Sequence, residues 1–170
     1  EIKLSFRQLT QIIPRNGLAL VNADDPNCLD VVKGAPCPVK TVGFSDSSNI
    51  RILDVETSTD GSHFTLEGTR YYVPMIGEFN IRNAAMAIAA AQFAGLNVKQ
   101  LADSMSRFEG VARRQEVKGV VNGISVVDDF AHHPTAIKQA WLGLRQRYPD
   151  SRYWALFEPS SSRTRRNIVQ

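Results

Sequence analysis

Short apolar strands alternate with helices from the start of the chain, and this alternation limits the fold to a few architectures. Helical spacing from Leu4 to Ile13 ends at Pro14, and an Asn-Gly turn leads into an apolar strand from Leu18 to Val21. A short helix from Asn27 to Val32 and a second strand from Val39 to Phe44 follow. This order predicts an α/β domain built on a parallel sheet.

The pattern changes to β-hairpin character between residues 50 and 73. Apolar and polar residues alternate there, and Thr59-Asp60-Gly61 is typical of a turn between two strands. We therefore expect the parallel sheet to acquire an antiparallel β edge. Two helices follow. The first, from Asn80 to Gly95, is rich in alanine and is expected to be largely buried, and the second runs from Val98 to Phe108.

An irregular segment, Glu109 to Arg114, predicts a domain boundary near residue 110. Beyond it, Asn122-Gly123 is the strongest short-range signal for a two-residue hairpin turn. The elements predicted for this second part are two strands, a helix, a buried strand and a final helix: Gln115–Val121, Ile124–Val127, Pro134–Tyr148, Tyr153–Phe157 and Thr164 onward. Residues 1–110 and 111–170 are thus expected to belong to two α/β domains.

Charge and composition narrow the functional classes. The net charge is only +3, and aromatic residues are not interleaved with the arginines near the end, so we expect no nucleic-acid partner. The longest apolar stretch, residues 83–96, is shorter than the roughly 20 residues that cross a bilayer, so we expect no membrane partner. Cys28 and Cys37 fit reduced thiols in a cytoplasmic protein, although a disulfide between them would also fit.

The segment from Asp128 to Pro134 lies between a predicted strand and a predicted helix. Ligands bind at such junctions in open α/β sheets, because the helix N-terminus attracts phosphate. Its two carboxylates and two imidazoles, on Asp128, Asp129, His132 and His133, can hold ribose hydroxyls, a metal-bound phosphate or an amine. A simple helix cap is the structural alternative. A metal hydrolase with all four residues as ligands is less favoured, because adjacent strand residues point to opposite sides.

Four segments carry a family resemblance. Asp129-Phe130-Ala131-His132-His133-Pro134 resembles the Asp-x-Ala-His-x-Pro signature of the Mur ligases and folylpolyglutamate synthetases. The others occur in the order of that family: Asn22-Ala23-Asp24-Asp25, Gly77-Glu78-Phe79-Asn80-Ile81-Arg82-Asn83 and Arg114-Gln115-Glu116. The resemblance implies that residues 1–110 are the C-terminal part of a central ATP-binding domain with an antiparallel edge. Residues 111–170 would then begin a Rossmann-like C-terminal ligase domain.

The same resemblance implies a role for each matching residue in an ATP-dependent amide ligase. Asn80 and Asn83 would lie beside the adenine and ribose of ATP, and Arg114 would reach its phosphates. Asp129 would hold the ribose, and His132 would lie near the phosphate and the reacting amine. The catalytic residues implied are therefore His132, Asp129 and Arg114. Amides, a guanidinium and a carboxylate suit purine edges, phosphate and ribose hydroxyls respectively.

Within the family, residues 128–137 and Phe157-Glu158-Pro159 resemble members that join UDP-N-acetylmuramate to the murein tripeptide L-alanyl-γ-D-glutamyl-meso-diaminopimelate. His133, Glu158 and Arg163 would contact substrate in a monomeric cytoplasmic enzyme. Members that use L-alanine, or a non-catalytic nucleotide-binding module, are the alternatives. Two positions depart from the family: Phe79 stands where His is common, and Ser160 stands where Arg is expected.

The chain contains no Gly-x-x-x-x-Gly-Lys-Ser/Thr segment that would cradle phosphates. The resemblance therefore implies that the phosphate cradle, the main Mg²⁺ ligands and the domain that binds the UDP-sugar lie upstream of Glu1. ATP and Mg²⁺ are the expected cofactors, and no metal ligand is assigned within this chain. We expect the chain by itself to fold but to lack ligase activity.

Overall fold

The structure, a computed structural model, describes residues 1–158 of the chain. In chain order, the first part contains α1 (Ile2–Gln11), β1 (Ala19–Asn22), α2 (Pro26–Val31), β2 (Val39–Gly43), β3 (Ile50–Thr57), β4 (Ser62–Leu66), β5 (Thr69–Val73), α3 (Glu78–Phe93) and α4 (Val98–Ser106). The second part contains β6 (Glu116–Val121), β7 (Ile124–Asp128) and α5 (Pro134–Arg147). Most bounds lie within two residues of those predicted from the sequence.

The first five strands form one sheet in the order β1-β2-β3-β4-β5. β1, β2 and β3 are parallel neighbours, whereas β3-β4 and β4-β5 are antiparallel. Tight hairpins join β3 to β4 and β4 to β5, while the parallel strands β1 and β2 are joined through α2. The predicted α/β class with an antiparallel edge is confirmed.

The core lies between this sheet and α3. Phe64 on β4, Val42 on β2 and Ile88 on α3 are all fully buried. In β4 the burial alternates along the strand, so one face meets the helix and the other is partly open to solvent. The alanine-rich α3 is buried only on its sheet side, since Asn83, Ala87 and Ala90 are exposed. The expectation that this helix is largely buried was therefore only partly right.

The second part begins with a hairpin of β6 and β7. Its turn residues Asn122 and Gly123 both have positive φ, 50° and 78°, as the Asn-Gly signal predicts for a two-residue turn. α5 follows after a short loop and starts at Pro134, as expected.

The prediction of a strand at Tyr153–Phe157 is wrong. The segment has no regular secondary structure, and Leu156 is 99% exposed. A strand needs a neighbour for its backbone hydrogen bonds, and no strand in residues 1–158 pairs with this segment. Instead, the Tyr153 hydroxyl lies at the end of α5, 2.9 Å from the carbonyl oxygen of Leu144 and 2.6 Å from that of Tyr148. The helix predicted from Thr164 lies outside the described residues.

Two smaller observations concern the state of the cysteines and the length of the helices. Cys28 and Cys37 are both free thiols, and Cys37 is buried. Among the helices of residues 1–158, none has the length and apolar character needed to cross a bilayer.

The position of Phe64 makes it a direct probe of the core. We expect Phe64→Ala to lower the free energy of unfolding by about 3 to 5 kcal/mol, because it removes a fully buried ring and leaves a cavity. Val120→Ala, at a position 63% exposed, should change it by less than about 0.5 kcal/mol. Urea denaturation of both variants measures the difference, and equal effects would contradict this description of the core.

Candidate functional site

A cavity of about 410 Å³ opens beside the first turns of α3. Most of its wall is apolar and comes from β5, α3, the end of α4 and the linker that follows: Val73, Met75, Phe79, Ala84, Ala87, Met105, Phe108 and Val111. Its polar lining residues are Asn80, Asn83 and Arg114. Three of the residues singled out in the sequence thus meet at one cavity.

The start of α3 forms one wall of this cavity. Gly77 has φ +99°, a backbone conformation that residues with a side chain rarely adopt, and the ring of Phe79 packs against it. The side-chain amide of Asn80 donates to the Ile76 carbonyl at 2.8 Å and is buried. Asn80 therefore fixes the helix start and lines the cavity, while Asn83 is exposed on the same wall.

Phe79 gives the cavity an aromatic wall. A phenyl ring offers a face for stacking but no hydrogen-bonding group. A planar ligand in this cavity would therefore contact an apolar surface at Phe79. The side chains in the cavity wall that can form hydrogen bonds with a ligand are those of Asn80, Asn83 and Arg114.

Asp129 joins the β7-α5 loop to the linker. One carboxylate oxygen accepts from the N–H of Gln115 at 2.9 Å, and the other accepts from the N–H of Ala131 at 2.7 Å. Asp128 faces another neighbour, the Arg113 guanidinium, at 3.5 Å. The two adjacent carboxylates are thus directed to different partners, as their positions at a strand end predict.

The two histidines lie at the start of α5. His133 occupies the N-cap position, and its Nδ1 accepts from the N–H of Thr135 at 3.4 Å, so the cap is a histidine rather than an aspartate. The Nδ1 of His132 lies 2.9 Å from the Phe130 carbonyl oxygen, and its ring meets the Phe130 ring edge to face. Neither His132, His133 nor Asp129 is among the residues that line the cavity.

The geometry gives no support to a four-ligand metal site. Within residues 1–158, no group of three or more His, Cys, Asp or Glu side chains is arranged to hold a metal ion. Glu158 is exposed at the end of the described residues, and Arg163 and Ser160 lie beyond them.

The linker beside Arg114 contains a residue that the sequence analysis did not assign. Gln115 is 7% exposed and has φ +49°, and its side-chain amide donates to the Ala140 carbonyl of α5 at 3.3 Å. A Cβ on Gly143 would lie 2.5 Å from that amide nitrogen, so a larger residue there would displace the Gln115 amide from this position. The only sequence signal for Gln115 is its place inside the Arg-x-Glu segment.

Glu116, the glutamate of the same segment, contacts the backbone on the other side of Arg114. Glu116 accepts from the backbone N–H of Arg113 at 2.7 Å and pairs with the Lys118 ammonium at 2.7 Å. These contacts, that of Lys118 above all, hold the pKa of Glu116 below its usual value. Arg114 therefore lies between Arg113 and Gln115, whose backbone N–H groups are both bound to carboxylates.

A largely apolar cavity with a few converging amide and guanidinium groups, next to a helix start in an α/β fold, is typical of the class of proteins that bind small molecules. Comparison with known families refines that class. Residues 1–91 match the family described as Mur ligase middle domain, and residues 113–169 match the Mur ligase glutamate ligase domain. The chain belongs to the Mur ligase family.

Individual relatives agree with this assignment. UDP-N-acetylmuramate–L-alanine ligase of Clostridium acetobutylicum is 36% identical over 173 residues, which cover 96% of this chain and 37% of that protein. The structure of a murein peptide ligase from Psychrobacter arcticus is 32% identical with a TM-score of 0.67, covering 94% of this chain and 35% of that one. MurF of Acinetobacter baumannii is similar in fold, with a TM-score of 0.73 at 19% identity. The match covers 82% of this chain and 32% of the MurF chain. The chain thus spans about a third of the length of these relatives.

The two adjacent aspartates allow a matched test of the loop. We expect Asp129→Ala to lower the free energy of unfolding by roughly 1.5 to 3 kcal/mol, because two backbone N–H groups lose a charged acceptor. Asp128→Ala breaks only a longer, more exposed ion pair and should cost less than about 1 kcal/mol. Chemical denaturation measures both, and an equal cost would mean that Asp129 does not hold the loop.

Proposed function

We propose that the protein containing this chain is an ATP-dependent amide ligase that joins UDP-N-acetylmuramate to L-alanyl-γ-D-glutamyl-meso-diaminopimelate during peptidoglycan recycling. Mur ligase family members are ATP-dependent ligases, which supports the general activity. The observation that carries the proposal is the cavity that Asn80, Asn83 and Arg114 share. Because ATP and the UDP-sugar are cytoplasmic metabolites, we assign the reaction to the bacterial cytoplasm.

In this proposal the cavity takes the adenosine part of ATP. The apolar wall around Phe79, Met105 and Phe108 suits the faces of a purine ring. Asn83 is exposed there and can donate to and accept from the base or ribose. Arg114, at the linker edge of the cavity, would direct its guanidinium toward the phosphates.

The proposed chemistry proceeds through an acyl phosphate. A carboxylate oxygen of UDP-N-acetylmuramate attacks the γ-phosphorus of ATP, and the bond to the bridging oxygen breaks to release ADP. The tripeptide amine then attacks the acyl carbon, loses a proton and displaces inorganic phosphate. Positioning and neutralisation of oxygen charge account for most catalysis of this kind. In this scheme Arg114 neutralises phosphate charge at the cavity. The β7-α5 loop, which lies outside the cavity lining, would contribute Asp129 toward the ribose and His132 toward the phosphate and the incoming amine.

Mg²⁺ would neutralise phosphate oxygens in this reaction, as in other phosphoryl transfers. Residues 1–158 contain no cluster of three carboxylate, imidazole or thiol groups suited to a metal. Following the family resemblance, we assign the main Mg²⁺ ligands to a part of the protein outside this chain.

The identity of the amine donor rests on fewer residues. Phe130 and Ala131, together with Phe157-Glu158, favour the tripeptide, and a murein peptide ligase is among the similar structures. The similarity to an L-alanine ligase supports L-alanine as the second candidate. In the tripeptide reading, His133, Glu158 and Arg163 contact the substrate. A non-catalytic nucleotide-binding module remains the alternative from a different class.

A competition assay tests the donor. We expect the full-length protein, given ATP and UDP-N-acetylmuramate, to couple the tripeptide at least tenfold faster than L-alanine at equal concentration, which corresponds to about 1.4 kcal/mol in the transition state. ADP release and mass analysis of the product measure both reactions. Faster coupling of L-alanine would assign the protein to the second candidate, and no ADP release with either donor would favour the non-catalytic module.

His132 provides a test of the catalytic assignment. We expect His132→Ala to lower kcat by roughly 100-fold or more while raising the KM for ATP less, if the imidazole acts on the developing phosphate or the amine. His63, which packs on Tyr72 in the β4-β5 hairpin, is the matched control, and His63→Ala should leave both constants unchanged. Unchanged kinetics for His132→Ala would reduce the residue to a surface group.

A further inference from the structure

A carboxylate outside the cavity lies where β1, β2 and α3 meet. One oxygen of Asp24 accepts from the Nε and Nη2 of Arg82, at 3.2 and 2.9 Å, and from the N–H of Phe44 at 3.1 Å. Its other oxygen accepts from the N–H of Ser45 at 2.9 Å. Asp24 therefore connects the ends of two parallel strands to the first turns of α3, across 58 residues of sequence between Asp24 and Arg82.

The surroundings of this ion pair are fitted to it. Only 23% of each side chain is exposed, and the Arg82 guanidinium lies 5.0 Å from the centroid of the Phe44 ring. A Cβ on Gly43 would come within 2.8 Å of both carboxylate oxygens, so glycine leaves the space that the carboxylate occupies. Burial raises the pKa of Asp24, but the N–H groups of Phe44 and Ser45 and the guanidinium outweigh it and hold the pKa below the usual value.

The place of Arg82 in the helix gives the ion pair a consequence for the cavity. Successive residues of an α-helix are about 100° apart around its axis, so Arg82 points about 160° away from Asn80 and 100° away from Asn83. Arg82 is thus held at the strand ends while Asn80 and Asn83 line the cavity on other sides of the helix. A restraint on Arg82 is a restraint on the rotation of α3.

We propose that Asp24 is a positioning residue for the nucleotide site, acting through Arg82 to fix the rotation of α3 and thereby the places of Asn80 and Asn83 in the cavity wall. This inference rests on the function proposed above. Side-chain ends lie roughly 5 to 6 Å from a helix axis, so a rotation of about 15° would move them by about 1.5 Å. A hydrogen bond to a ligand does not survive a displacement of that size.

The test uses the full-length protein with Asp24→Asn, Arg82→Gln and the double variant. We expect each single variant to raise the KM for ATP, and the Kd for ADP measured by calorimetry, about five- to tenfold. The kcat should change less than twofold, and the KM for UDP-N-acetylmuramate should not change. Because both residues act through one contact, the double variant should be no worse than the more affected single variant. Arg82→Lys, which keeps the charge, should restore part of the affinity.

The matched control is Glu56→Gln. It removes an ion pair with Arg70 that has an N–O distance of 2.6 Å but joins β3 and β5 across β4, in the antiparallel part of the sheet. It should leave both nucleotide constants unchanged.

The alternative is that Asp24 stabilises only the ends of β1 and β2. Unchanged KM for ATP and Kd for ADP in a folded Asp24→Asn variant, with a lowered melting temperature, would overturn the proposal. If Asp24→Asn fails to fold, Arg82→Gln gives the same decision, because it leaves the bonds from Phe44 and Ser45 in place. Wild-type protein that binds ADP but couples no substrate would contradict the proposed ligase while the Kd values still decide the role of Asp24. Wild-type protein that does not bind ADP would overturn both.

Discussion

The packing of α3 on the sheet is the contact on which the candidate site depends. Ala85 and Ile88 are fully buried against the strands, and the small alanine side chains allow the helix to approach closely. With one side fixed in this way, the other side presents Asn83 and Ala87 to the cavity. The same contact therefore provides stability on one side of the helix and a binding surface on the other.

The segment between α4 and β6 is a second constraint, because it joins the cavity to the β7-α5 loop that carries His132 and His133. Gly110, Arg113 and Gln115 all have positive φ, and the two that are not glycine each cost on the order of 1 kcal/mol or more. Two bonds compensate: Gln115 donates to the carboxylate of Asp129, and Phe130 donates to the carbonyl of Arg113. The unusual backbone and the loop thus hold each other in place, with Arg114 between them.

Much of this structure was predictable, because local patterns carry it. The hydrophobic period and the turn residues are enough to predict the parallel strands, the hairpins and α5. Two family segments point to Asn80, Asn83 and Arg114, which line the cavity. Tyr153–Phe157 was misassigned since apolar composition indicates burial without supplying a neighbouring strand. The pairing of Asp24 with Arg82 and the fit of Gln115 to α5 join distant segments, and no periodicity within either segment reports such contacts.

The hairpin of β6 and β7 has a consequence for how this segment behaves among copies of itself. Apart from each other, its strands have no strand partner within residues 1–158, and Val120, Val121 and Ile124 are well exposed. Uncovered edges with apolar side chains are templates for pairing with strands of other molecules, and proteins usually protect them. The bulge between Val117 and Gly119 interrupts one edge only locally. Both edges of this hairpin are therefore open to edge-to-edge association.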